Sequence, residues 1–394
     1  MPQIGQIERK KSATVGVIAK KTYLCSVERT YFIIAGELSG DTHAARLISE
    51  LRRRQPQARF TGMGGKQMQQ AGCRLVQSID KMAFMGVFAV LKNLHNIRTN
   101  FRIAHEALLQ ERPDVLILVD YPSFNLKIAS FCRRHLPQTK IVYYIPPKIW
   151  AWKSWRVHRI ARLCDKVLAI FPFETDFYKK YGYTAEYVGN PTKEEISDCA
   201  EHLSKCQQTD TIAILPGSRK AEIQKCLPRM LEAARKFPDY KIVVAAARQT
   251  DRNLYLKHLR EGEQLVEGKT YELVKSARAA VVNTGTAVLE TALIGTPQVS
   301  AYYITFANPV TAAILKPILF KIPYFTLANL IAGREVVKEM IAEHFSTDNI
   351  ATELERLLQD NNYRQQMQSD YKIISDILGN GRAAVNAARI IDSL

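Results

Sequence analysis

The chain has 394 residues, 47% hydrophobic and 24% charged, which excludes a disordered or fibrous protein and leaves room for two domains of roughly 150 to 200 residues. Its 55 Lys and Arg against 38 Asp and Glu leave a net charge of +17; that excess draws anions but does not choose among nucleic acid, anionic lipid and phosphorylated metabolites. Seven Cys without a C-x-x-C pair give neither a disulfide framework nor zinc-ligand spacing and favour a reducing cytoplasm.

In chain order, residues 1–30 come first, a basic extension with Arg9, Lys10, Lys11, Lys20, Lys21 and Arg29 but without the apolar core of a secretory signal. Short β-branched or aromatic runs then alternate with turns and helical stretches, predicting strands over 31–35, 59–62, 115–120, 140–145, 166–171 and 185–188. A second series covers 211–215, 241–246, 279–282 and 298–302. This alternation marks βαβ units, whose parallel strands are covered on both faces. The expected organisation is an α/β domain over 31–192, a charged helical-looking linker over 193–210, a second α/β domain over 211–370, and closing helices over 371–394 that could return to the first domain. No run of about 18 apolar residues predicts a transmembrane helix. The apolar stretches 82–91 and 310–325 each suit an acyl-chain or membrane contact; the first also suits a buried helix and the second a subunit contact.

In open α/β sheets ligands bind beyond the carboxyl ends of the strands. There the chain places Glu37, Ser39 and Asp41 in a glycine-flanked loop, where Ser39 or Asp41 could cap a helix starting near Thr42. Asp120 ends the most apolar strand; half buried at a cleft mouth it would have a base's raised pKa, with turn amides as the alternative use of its carboxylate. Asn125 is either its hydrogen-bond partner or a turn residue. Arg219 closes a Pro-Gly turn and could match phosphate oxygens. Thr284, Gly285 and Thr286 run into a helix carrying Glu290, an anion site with an acceptor for ribose hydroxyls one turn along. Trp150, Trp152 and Trp155, interleaved with Lys148, Lys153, Arg156, Arg159 and Arg162, could stack on bases, ride a membrane interface or form a satellite core. Two fingerprints fail. Residues 262–270 have one residue too many for a P-loop, and Gln67 stands where G-x-G-x-x-G needs its third glycine. Without an acidic D-x-D triplet no catalytic metal is expected, and no cofactor.

The ordered set AGELSGD (35–41), GMGGKQM (62–68), MGV (85–87), VDYPSFN (119–125), IWAW (149–152), FPFE (171–174), LPGSR (215–219), TGTAVLE (284–290) and NLIAGR (329–334) closely resembles lipid A disaccharide synthase from about Tyr31 to the C-terminus. The resemblance implies a GT-B architecture, two Rossmann-like doubly wound parallel-sheet domains facing across a cleft. It also implies an inverting glycosyltransferase that joins UDP-2,3-diacylglucosamine to 2,3-diacylglucosamine 1-phosphate (lipid X), forming the β-1,6 disaccharide and UDP. It makes Asp120 the base for the acceptor 6-hydroxyl and Arg219 the cation that stabilises the leaving UDP. Ser218, Arg219, Thr284, Gly285, Thr286 and Glu290 become the nucleotide site; Glu37, Ser39, Asp41, Asn125, Met85, Asn329 and Arg334 line the acceptor side and cleft. Some family members have an acid where this chain has Ser123, which leaves Asp120 the sole carboxylate of its loop; Thr284 and Ala328 depart mildly from the usual Ser and Pro. The expected place is the cytoplasm, peripheral to an anionic inner membrane, with no nucleic-acid partner and a homodimer left open. The rivals are a UDP-N-acetylglucosamine 2-epimerase, sharing the nucleotide site, and a non-catalytic basic binding protein.

Overall fold

The computed structural model describes residues 28–79, 94–152, 154–247, 250–304 and 323–394. The basic arm up to residue 27, the apolar segment 82–91 with Met85, and residues 310–322 of the second apolar stretch lie outside the described residues.

The first sheet holds β1 (Thr30–Ala35), β2 (Arg59–Gly64), β3 (Arg74–Ser78), β4 (Val115–Val119), β5 (Lys140–Tyr144), β6 (Lys166–Ala169) and β7 (Glu186–Tyr187), in the order β3-β2-β1-β4-β5-β6-β7. The second holds β8 (Thr211–Leu215), β9 (Lys241–Ala246), β10 (Gln264–Glu267), β11 (Ala279–Val282), β12 (Gln298–Tyr302) and β13 (Lys338–Ile341), in the order β10-β9-β8-β11-β12-β13. Every strand pair in both is parallel.

The strand sequences explain the layering. Phe32, Ile34, Leu116 and Leu118 pack into the core on one face of the first sheet, and Tyr31, Ile33, Val115, Ile117 and Val119 into that on the other. Alternate side chains point to opposite faces, so a strand covered twice must be apolar throughout. Strand order reverses between β1 and β4 and again between β8 and β11. At such a point neighbouring crossovers leave on opposite faces and the strand-end loops part, opening a crevice.

The chain stitches the two halves together twice. Residues 193–210, expected as a linker, contribute most of the helices Pro191–Asp198 and Ala200–Ser204, whose Ile196 and Leu203 enter the second core. The helix Asn361–Leu378 also belongs to that core through Met367, Tyr371 and Ile374. The last helix, Ala383–Asp392, crosses back onto the helix Leu38–Arg54 and buries Ala387, Ala388 and Ile391 against the first sheet. Two bonds pin the crossing: Tyr187 Oη donates to the Leu378 carbonyl at 2.7 Å and Asn386 Nδ2 to that of Val188 at 2.9 Å. Ile391→Ala removes fully buried apolar volume from this seam and is expected to cost about 2–5 kcal/mol. The measurement is the urea midpoint of unfolding.

Candidate active site

At the ends of β1 and β4 the backbone is unusually constrained. The helix after β1 starts at Leu38, with Glu37 as its N-cap, so neither Ser39 nor Asp41 caps a helix near Thr42. Ser39 lies exposed on the first turn. The Tyr121 ring lies directly over Gly36: a Cβ there would meet it at 2.3 Å, so only glycine lets the two loops close.

Asp120 and Tyr121 both take left-handed conformations, with φ of +45° and +46°, a costly choice for two successive non-glycine residues. Surrounding bonds hold it. The Asp120 carbonyl accepts from Asn125 Nδ2 at 2.7 Å and Tyr143 Oη at 2.8 Å, and the Asp120 N–H donates to the Ile145 carbonyl at 3.2 Å. Asn125, fully buried, also donates to the Val119 carbonyl at 3.2 Å. It therefore braces the Asp120 backbone rather than bonding its carboxylate. That carboxylate keeps access to solvent; burial raises its pKa, while Lys148 and the Tyr121 amide pull it down. Burial and Asp120 likewise raise Glu37, which Arg219 opposes from the second domain.

On the facing side Gly217, at φ +99°, turns the chain where a Cβ would meet Asn283 and Glu222. The turn delivers Arg219 to the N-cap of the helix Lys220–Ala234; its guanidinium rests on Glu222 at 3.1 Å and stays 64% exposed. Arg219, Ser218, Thr284, Gly285, Thr286 and Glu290 all line one cavity of about 340 Å³ at the β8/β11 reversal. A second cavity, of about 360 Å³, shares Ala246, Ala247 and Thr270 with it. Helix Thr286–Ile294 presents its N-terminus to the first cavity, where free amides and the helix dipole favour an anion. Burial, then the nearby Glu195, push Glu290 up to about 7.

The family model described as lipid-A-disaccharide synthetase matches residues 31–388. The lipid-A-disaccharide synthase of Myxococcus xanthus is 37% identical, covering 91% of this chain and 96% of the relative; that of Geobacter sulfurreducens is 32% identical, at 91% and 95%. The chain belongs to the lipid-A-disaccharide synthetase family. It is accordingly a glycosyltransferase of GT-B fold. Among solved structures, a UDP-GlcNAc 2-epimerase from Neisseria meningitidis bound to UDP-GlcNAc superposes with a TM-score of 0.57 at 13% identity, over 92% of this chain and 98% of that one. The calicheamicin glycosyltransferase gives 0.55 at 15%, over 93% and 98%. These two likenesses concern the fold.

Three of the expected site residues have structural work. Asp41 is only 2% exposed, and its carboxylate accepts from the amides of Gly65, Gln67 and Met68 at 2.7, 3.0 and 3.1 Å. It fastens the loop after β2 rather than lining the cleft. Asn329 is fully buried, donating to the Val337 carbonyl and to Glu339 while accepting from the Val336 and Val337 amides. Arg334 forms a two-pronged pair with Asp370 at 2.6 and 2.9 Å. Of the tryptophans, Trp150 is partly buried against the second core, its Nε1 donating to Glu174 at 3.1 Å and its ring edge-on to Phe173, whereas Trp155 is 64% exposed. The reading from sequence missed Glu195 and gave Lys148 no role of its own beside Asp120; a lysine at a strand end, following two prolines, was the available signal for the second.

Asp41→Ala strips three amides of their acceptor and is expected to lower stability by about 2–4 kcal/mol, seen as a lower urea midpoint. Unchanged stability with lost turnover would instead make Asp41 a group that meets substrate.

Proposed function

We propose that the chain transfers 2,3-diacylglucosamine from its UDP derivative to the 6-hydroxyl of 2,3-diacylglucosamine 1-phosphate with inversion, giving the β-1,6 disaccharide 1-phosphate and UDP. What carries the reading is the meeting, in a member of this family, of Glu37 and Asp120 from the first sheet with Arg219 from the second.

In this reading the nucleotide occupies the cavity at the β8/β11 reversal. Its diphosphate lies on the amides of Thr284, Gly285 and Thr286 and beside Ser218, and Glu290 accepts from the ribose hydroxyls. The acceptor lies against the first domain with its 6-hydroxyl at Asp120. Asp120 takes the hydroxyl proton as the oxygen attacks the anomeric carbon from the face opposite UDP. The bond from that carbon to the diphosphate oxygen breaks, and UDP leaves with the electron pair. Arg219 exchanges Glu222 for the diphosphate as its charge grows, so its stabilisation is greatest where the barrier lies. The proton passes from Asp120 to solvent. Glu37, whose pKa burial and Asp120 raise and Arg219 opposes, is suited to bond an acceptor hydroxyl.

Both substrates are lipids, so the enzyme works at a membrane surface, and the charge of +17 suits an anionic one. No helix among the described residues is long and apolar enough to cross a membrane.

Asp120→Asn is expected to lower kcat by about 10²–10⁴ with UDP affinity retained. Arg219→Ala is expected to lower kcat by about 10²–10³. Mass-spectrometric counting of disaccharide and UDP checks both; wild-type turnover in Asp120→Asn would remove it as the base.

A further inference from the structure

The cavity assigned to a diphosphate carries a carboxylate on its wall. Glu222, on the first turn of the helix Lys220–Ala234, lines it together with Ser218, Arg219, Asn283 and the start of the helix Thr286–Ile294. Its Oε1 pairs with Arg219 Nη1 at 3.1 Å, and its Oε2 accepts from the Arg219 amide and from Asn283 Nδ2, each at 3.4 Å. The ground beneath it is tight. Asn283 is buried, and a Cβ on Gly217 would stand 2.4 Å from Asn283 Nδ2 and 2.6 Å from Glu222 Oε2. The carboxylate is accordingly only 16% exposed, while the guanidinium resting on it is 64% exposed. One partner of the pair is fixed and the other is free to leave. Capping the Arg219 amide needs an acceptor and no charge, and a glutamine at this place in a helix does it as well. The charge of Glu222 therefore goes beyond capping, and in an anion cavity it acts against the ligand: it repels a diphosphate and occupies the cation meant for it.

We infer that Glu222 is a positioning residue that acts through Arg219: it holds the guanidinium back from the bound donor, yields it as the leaving diphosphate gains charge, and reclaims it to release UDP. The inference rests on the reading that the nucleotide fills this cavity with Arg219 on its diphosphate. A cation shared between a fixed carboxylate and a ligand goes to whichever is the more negative. The donor's diphosphate is esterified at both ends and competes weakly with Glu222, so Arg219 adds little to binding before the reaction. As the bond to the anomeric carbon breaks, the diphosphate gains a charge and wins the competition, and the contribution of Arg219 arrives where the barrier lies. After transfer the same competition shortens the life of the UDP complex. A wall of amides and cations alone would bind the product more tightly than the donor and slow every turnover.

The test compares the full-length wild type with Glu222→Gln, Arg219→Ala and the double variant, by calorimetric titration with UDP and by steady-state kinetics with both lipid substrates. Glutamine keeps the acceptor for the Arg219 amide, so the urea midpoint of Glu222→Gln is expected to hold. Its affinity for UDP is expected to rise by about three- to fivefold, the worth of an ion pair no longer broken on binding. The donor KM falls with it, inhibition by UDP strengthens, and kcat is no higher than in the wild type. With Arg219→Ala already in place, Glu222→Gln leaves the UDP affinity where it was, because the effect runs through the guanidinium. UDP affinity unchanged or weakened in Glu222→Gln, with or without a lower urea midpoint, would overturn the inference and leave Glu222 a capping residue. Equal tightening with and without Arg219 would overturn it too, making Glu222 a plain charge on the wall. Arg219→Ala separates the two levels. If it keeps wild-type turnover and UDP affinity, the reading of the nucleotide site fails; if it loses either while Glu222→Gln binds UDP as the wild type does, the inference about Glu222 alone fails.

Discussion

A parallel sheet that grows outward in both directions from its first strand must part its loops where the direction reverses. Both sheets obey this, at β1/β4 and at β8/β11. The acidic loop carrying Glu37, the turn carrying Asp120, the Pro-Gly turn carrying Arg219 and the anion-binding start of the helix Thr286–Ile294 all lie at these two places. One crevice carries Glu37 and Asp120, and the other carries Arg219 and a helix N-terminus beside Glu222 and Glu290. In the proposed reaction an alcohol loses a proton while a diphosphate gains charge, and the reading assigns the two needs to opposite walls.

Asp120, the base of the proposed reaction, is held by more than its place at a strand end. The turn at Asp120 holds two successive residues in a conformation that L side chains resist, which requires rigid neighbours. Asn125 and Tyr143 clamp one carbonyl, the Tyr121 ring rests on a glycine that can carry no side chain, and the Ile145 carbonyl ties the turn to the next strand. The supports come from the loop after β1, the end of β5 and the helix Pro122–His135, so the turn that carries the carboxylate is braced from three parts of the first domain. Arg219 contrasts with it. Exposed and resting on Glu222, it is free to change partner as a charged ligand arrives. A fixed acid facing a movable cation suits chemistry in which the nucleophile must be aimed and the leaving group followed.

Much of this was legible in the sequence because buried strands carry an unbroken apolar signal. The central strands β4, β8 and β11 announce themselves that way, as at Val115–Val119. The strands missed were β3, β10 and β13, all at sheet edges, where charged or polar residues such as Arg74, Glu267 and Lys338 interrupt the run. The positions of Glu37, Asp120 and Arg219 beyond strand ends were legible because a glycine or proline lies in each of those loops. Asp41 misled for a physical reason: its partners lie 24 to 27 residues away, and a local cap reads the same as a long-range anchor until the fold joins them. Asn329 and Arg334 show the same ambiguity, since a buried network and an ion pair use the polar residues a binding site would use. The resemblance to a family supplied the substrates, which no arrangement of charges here could name by itself.

The fold is shared with sugar-nucleotide epimerases, so the central claim concerns what is made rather than what is bound. The direct measurement is to incubate the protein with UDP-2,3-diacylglucosamine and 2,3-diacylglucosamine 1-phosphate, and separately with UDP-N-acetylglucosamine alone, and to read products by mass spectrometry and anomeric proton couplings. The account predicts a β-linked disaccharide phosphate and UDP in equal amounts from the first mixture and unchanged nucleotide sugar from the second. An α-linked disaccharide, or an epimerised sugar nucleotide without any disaccharide, would contradict it.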